Sequence, residues 1–378
     1  MAKEAVDAMR SMGHRKLRSA YEDWVAEEGV PFHLTYGGTD ITKIDDLAPW
    51  ARMGSHCQGA FIINPDTWKG MCDGFLLVID PKEEALPQRH LFEECVLILE
   101  GDGATTVSQG GHSQTFEWMA GDYFVLPLNC SYQHFNTGDS PVKLFSVTAA
   151  PLVVNYFHDR DFVFNNSAEF PSRFHGQFDY FNPSAAKQYK GPTLSTVMEA
   201  NFIRNLAHIG LAPRPERGKS STNLYFEGGD STLISHASEM PAGSYKKGHR
   251  HLATGWFGLI LRGEGYTLTW KEESTHYSEA TEKKMIPWHE MCVLGYPDPW
   301  YHQHFNLSEG PSRYLAVHFG SQKYPGLVWV DHWKVQVSTS EGGEQVEYRD
   351  EDPYIMELYT AELAKRGLEP AAVSSWRE

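Results

Sequence analysis

This chain carries the same unit twice, so it must fold as two similar domains. Shifting the sequence by 170 residues aligns Trp118 with Trp288, Pro127 with Pro297, His134-Phe135-Asn136 with His304-Phe305-Asn306, and Pro141 with Pro311. A shift of 162 lays Ile98-Leu99-Glu100-Gly101-Asp102-Gly103 over Ile260-Leu261-Arg262-Gly263-Glu264-Gly265. The shifts differ by eight, so the second copy holds an insertion, and the polar run 271–284 reads as an enlarged loop. The period is far too long for a solenoid, and 378 residues exceed one ordinary core. The unit is a duplicated domain.

Chemistry concentrates in the second copy, at His249-Arg250-His251 and at His302-Gln303-His304-Phe305-Asn306. Side chains alternate along a strand, so both histidines of each pair face the same side. A histidine from a neighbouring strand can then complete a facial set around one divalent metal, with the opposite positions open to substrate, water or oxygen. With 18 histidines in the chain, single pairs arise by chance. Two pairs in strand-like contexts, each beside glycine or proline turn signals, point to a metal in the C-terminal half.

The residues around these histidines carry a resemblance. Gly243 to His251, with Gly248 before the pair and Gly263 twelve residues after it, resembles the first motif of the cupin superfamily, G-(x)5-H-x-H-(x)3–4-E-(x)6-G. Pro297-Asp298-Pro299-Trp300-Tyr301-His302, with Asn306 four further on, resembles the second, G-(x)5-P-x-G-(x)2-H-(x)3-N. There are departures: Trp256 stands where the ligand glutamate belongs, Pro299 replaces a glycine, and Met291 takes the place of the leading glycine. The run from Trp300 to Asn306 is also similar to the W-x-H-D-H-G-N segment of gentisate-type ring-cleaving dioxygenases. The resemblance implies an all-β tandem cupin, two jelly-roll barrels of the double-stranded β-helix type. It implies metal ligands at His249, His251 and His302, and three-histidine sites of this superfamily suit iron(II) and dioxygen. In the first copy Gln88 and His90 occupy the H-x-H positions, Glu94 the glutamate position, and Tyr132 the position of the last histidine. That copy reads as a degenerate site kept for packing.

Composition narrows the partners. Hydrophobic residues at 41% and charged residues at 22% are globular values. No apolar run approaches the roughly 20 residues needed to cross a bilayer, and the N-terminus lacks a signal-peptide pattern. Five cysteines without C-x-x-C spacing argue against zinc ribbons and disulfide frameworks, so a cytoplasmic location is expected. A net charge of −16 repels phosphate backbones. The expected partners are a small-molecule substrate and dioxygen, within a homo-oligomer, and neither nucleic acid nor membrane.

The period changes divide the chain into an N-terminal helix and leading strands (1–74), a first barrel (75–151), a connector (152–224), a second barrel (225–320) and a C-terminal extension with a helix (321–378). The N-terminal helix is expected over 4–28, and the terminal one starts at Pro353 and stops at Gly367. The connector is expected to pack outside the barrels. In the second barrel His304 shares a face with His302, placing it either as the catalytic group that hydrogen-bonds substrate or takes its proton, or as a packing histidine that orients a ligand. Trp256, His318, Trp300 and Tyr296 are the expected substrate wall. Arg250 points away from the histidines by alternation, and Arg262 and Arg313 read as surface residues or carboxylate anchors. The functional expectation is a non-haem iron(II) dioxygenase acting on a small aromatic or unsaturated hydroxy acid. The alternatives are a non-oxidative enzyme (isomerase, lyase or hydrolase) using manganese, nickel or zinc, and a non-catalytic ligand-binding bicupin.

Overall fold

The computed structural model describes residues 19–66, 70–191, 195–251, 257–297, 299–321, 323–324, 332–372, 375 and 377. Its strands form two sandwiches, each an eight-stranded sheet facing a three-stranded one. In the first large sheet Val142–Thr148 lies between Asp73–Ile79 and Glu94–Glu100. In the second, Ser312–Phe319 lies in the same way between Leu233–Met240 and Phe257–Arg262. The small sheets repeat too: His112–Met119, Asp102–Gln109 and Ser131–Asn136 in one, Lys283–Trp288, Gly265–Trp270 and Tyr301–Asn306 in the other. The fold is a tandem of jelly-roll barrels, and the expected insertion lengthens the hairpin between Trp270 and Lys283.

The duplication reaches beyond the barrels outlined by the sequence. Phe32–Leu34 pairs parallel to Cys57–Ile63, and Ala48–Pro49 pairs antiparallel to it. In the second copy Thr196–Glu199 pairs parallel to Thr222–Glu227, and Ala212–Pro213 antiparallel. The connector is therefore not wholly outside: it contributes strands to both sheets. Phe202–Ile203 crosses to pair with Tyr123–Leu126 of the first barrel. Reciprocally, Gly38 N–H donates to Val293 O (2.8 Å) and Val293 N–H to Thr39 O (2.7 Å), so each copy lends an arm to the other's edge strand.

Burial explains the strand sequences. Phe75-Leu76-Leu77-Val78-Ile79 reads as an almost continuous apolar run because both faces of its sheet are covered. Phe75, Leu77 and Ile79 point into the first barrel, while Leu76, with Leu97, Phe145 and Val147, packs against Phe257, Leu259 and Val317 of the second. The Phe145 and Phe257 ring centroids lie 5.2 Å apart. By contrast His112–Met119 alternates exposed and buried positions, having one face in solvent.

The described residues hold four α-helices, Ala20–Glu28, Ala150–Phe157, Arg160–Phe164 and Pro353–Ala364. Ala20–Glu28 is what the described residues hold of the expected N-terminal helix, capped by Ser19 and Glu22 in a capping box and closed by Gly29 in the left-handed region. Pro353–Ala364 starts with Asp352 as N-cap and proline in its first turn, as expected, and buries Ile355, Tyr359 and Leu363 against the second barrel. All five cysteines are free and buried. No helix of the described residues is long and apolar enough to cross a membrane.

Candidate metal centre

His302 and His304 occupy alternate positions of Tyr301–Asn306, and both point into the second barrel. His249 lies directly opposite His302: its N–H donates to His302 O at 3.0 Å, and His302 N–H returns a bond to His249 O at 2.8 Å. His251, two positions on, completes the set. Ring centroids are 4.9 Å apart for His249 and His251, 4.2 Å for His249 and His302, and 5.0 Å for His251 and His302. One ligand atom of each lies within 4.8 Å of the others. Tyr296 stacks on His302 at 3.8 Å and fixes its ring plane. His249 Nδ1 lies 3.3 Å from Lys247 O, an outer contact that orients its other nitrogen toward the cavity.

The electrostatics suit a metal. Burial first, then the charge of Arg217, holds His249 well below the ordinary imidazole value, and burial with neighbouring His251 does the same for His302. Neutral imidazoles are what a divalent transition metal binds, and three converging on one point fit such an ion. Among the described residues no carboxylate joins the cluster. Trp256, at the glutamate position, lies outside the described residues.

The cavity around these rings has about 60 Å3 of space open to water. His304, His318 and Tyr296 line it. Trp300 does not: it sits in the turn closed by its N–H on Pro297 O, with Lys284 Nζ over its ring at 5.9 Å. A position inside the second motif does not fix the side of the strand on which a turn residue falls. Arg262 and Arg313 are both committed to Glu239. Arg250 turns away from His249, as alternation requires, and pairs with Glu344.

His304 is tied through its Nδ1 to the neighbouring strand. Trp288 Nε1 donates to Thr267 Oγ1 (3.0 Å), and Thr267 Oγ1 lies 2.8 Å from His304 Nδ1. Either atom of the Thr267–His304 pair can donate, according to the imidazole tautomer, because the hydroxyl that accepts from Trp288 keeps a second lone pair. Burial, with the charges of Lys246 and Arg217, pushes His304 down to about 3. The ring is therefore neutral. The first copy builds the same relay from Trp118, Thr105 and His134, at 2.8 and 2.7 Å, which is why this histidine persists there.

The first-copy site is closed upon itself. Gln88 faces Tyr132 in the register of His249 and His302. Glu94 accepts from Tyr132 OH (2.9 Å) and Ser146 Oγ (2.6 Å) and contacts His90 Nε2 (3.0 Å). Burial opposes the Glu94 charge, but His90 and Ser146 hold its carboxyl below the usual range. Trp24, Trp50, Phe92 and Phe164 fill the space above, leaving about 20 Å3.

Sequence reading missed Arg214, Arg217, Lys246, His236 and Tyr225, all of which line the second cavity. Pro213 to Thr222 reads as loop, and the repeat fades before this segment, so motif spacing gave no sign of it. Aligning the leading strands of the two copies would have exposed the arginines.

Residues 75–148 match the family described as Cupin domain. No curated protein matches the sequence. Solved structures similar to this one include variants of oxalate decarboxylase from Bacillus subtilis. One has a TM-score of 0.46 at 11% identity over 76% of this chain and 78% of the other. Another has 0.47 at 12% identity over 82% and 83%. The N-terminal barrel holds a cupin domain, and with the same strand order repeated in the C-terminal half the chain has the fold of a tandem cupin.

Proposed function

We propose that the second barrel is the active site of a metal-dependent enzyme for a small anionic acid, an iron(II) dioxygenase acting on an aromatic or unsaturated hydroxy acid. The convergence of His249, His251 and His302 in a cavity, with no carboxylate among the described ligands, supports this reading. Iron(II) held by three neutral imidazoles keeps its dipositive charge and supplies Lewis acidity and redox chemistry toward dioxygen. The chain's own groups do the rest. Tyr296 stacks on His302, and His304 lines the cavity within reach of a substrate oxygen. Tyr225, Tyr296 and Tyr314 give flat walls for an unsaturated substrate. Burial of the site keeps water from competing for these donors. Manganese, nickel or zinc fit the same nitrogens and would serve a non-oxidative reaction.

Oxygen-electrode assays over a panel of hydroxy acids test the proposal. Substrate-dependent oxygen consumption should be restored to chelator-treated protein by ferrous iron and not by zinc. Turnover at the same rate under argon would move the reaction to the lyase, isomerase or hydrolase class.

A further inference from the structure

Backbone hydrogen bonds set the residue equivalences between the copies without any appeal to side chains. Trp50 N–H donates to Cys57 O (2.9 Å), and Arg214 N–H to Ser221 O (2.8 Å). Met53 N–H donates to Trp50 O (2.9 Å), and Arg217 N–H to Arg214 O (3.1 Å). Ala85 N–H donates to His134 O (2.9 Å), and Lys246 N–H to His304 O (3.2 Å). Trp50, Met53 and Ala85 of the first barrel thus stand where the second has Arg214, Arg217 and Lys246. The first barrel folds with these positions apolar and buried, so the architecture does not require cations there.

The three cations are nonetheless buried, with exposures of 8% for Arg214, 9% for Arg217 and 2% for Lys246. Among the described residues no carboxylate lies within 4.0 Å of Arg217 or Lys246. Arg217 Nη1 donates to the Gln345 amide oxygen (2.7 Å); Lys246 Nζ bonds Ser238 Oγ and lies 4.8 Å from the Tyr314 ring centroid. Arg214 has Asn223 at 3.4 Å and, at 3.8 Å, the half-buried Glu216. All three line the cavity that holds the histidines. Burial and the mutual repulsion of these cations push Arg217 down to about 10 and Lys246 well below the ordinary lysine value. Desolvating a charge costs several kcal/mol per ion unless an opposite charge answers it.

We infer that the substrate of the second barrel carries two anionic groups, one reaching the three histidines and the other held by Arg214, Arg217 and Lys246. The chemical class is a small dicarboxylate, and a hydroxyl or double bond on its chain fits the proposed reaction. The inference rests on the metal reading for the first group only; the cationic pocket stands independently of it. Space of about 60 Å3 admits roughly four to six water-sized volumes, so the chain between the two groups is short.

Calorimetric titration of the full chain, loaded with redox-inert zinc, compares succinate with butyrate and malonate with propionate. Charge-assisted bonds to a desolvated second carboxylate should make each dianion bind about 10- to 100-fold tighter than its monoanion. Arg217→Met and Lys246→Ala install the residues that the first copy tolerates. They should abolish that ratio, leave zinc stoichiometry unchanged and hold or raise the melting temperature. Equal affinities for dianion and monoanion in zinc-loaded wild-type protein overturn the inference while leaving the metal reading intact. So does an undiminished ratio in both variants. If the wild type holds no zinc, the metal reading fails. The same titrations without metal then decide the pocket: succinate binding lost in Arg217→Met supports it, and no succinate binding overturns it.

Discussion

Burial and like charge act together on the second-barrel histidines. His249 and His302 are removed from water, and their charged neighbours are Arg217 and other imidazoles, so protonation of both is opposed twice and their lone pairs stay available. Removing one imidazole leaves an incomplete chelate. His249→Ala, His251→Ala and His302→Ala should each lower bound divalent metal, measured by mass spectrometry of protein purified without chelator, by about tenfold or more. His90→Ala and Tyr132→Phe should leave metal content at the wild-type level, because the first-copy groups are satisfied by one another. Metal that follows the first-copy residues would reverse the assignment of the two sites.

Elements decide which barrel is filled and which is open. The helix Ala20–Glu28 sends Trp24 into the mouth of the first barrel and anchors itself through Tyr21, whose hydroxyl donates to Asp73. Thr148 donates to the other oxygen of the same carboxyl. Burial dominates there and raises Asp73 to about 7, despite these two bonds. A carboxyl raised in the folded state keeps its proton between about pH 4 and 7 while the unfolded chain loses it. Stability from this group is therefore full below pH 4, falls as pH rises to 7, and is level above. Asp73→Asn should flatten that fall, gaining roughly 2–4 kcal/mol on wild type between pH 4 and 7.5 in chemical denaturation. At the far end of the molecule, Asn306 explains why His-Phe-Asn recurs. Its Nδ2 donates to Met240, Pro241 and Gly310 carbonyls, as Asn136 does to Ile79, Asp80 and Ser140, tying off the motif strand in both copies.

At the scale of the whole molecule the two barrels share one apolar seam. Leu76, Leu97, Phe145, Val147, Phe257 and Val317 belong to a single buried cluster, and the exchanged arms stitch its two edges. Neither large sheet could expose that face alone, so the halves should unfold together. Calorimetry should show a single transition, and Phe257→Ala should lower it as a whole, costing about 3–5 kcal/mol through the cavity it leaves. Two separated transitions, with only the later barrel affected, would show that the seam does not couple them.

The sequence by itself determined the duplication, the β architecture and the three converging histidines, because these follow from local periodicity and from spacing along a strand. The capped helix at Pro353 follows the same local rules, whereas the closed first-copy site brings Tyr132 and Glu94 together from different strands. What surrounds the three histidines is decided by packing. Arg214 and Arg217 come from a short segment that looks like loop and is carried into the barrel by Ala212–Pro213 pairing with Thr222–Glu227. Lys246 is three residues from His249, yet its side chain has meaning only beside those arginines. His304 is tied to Thr267 and Trp288 on adjacent strands, and Trp300 leaves the site through the geometry of one turn. Ligand spacing is written along one chain direction. The charge of a cavity is a sum over strands distant in sequence, and it exists only once they are packed.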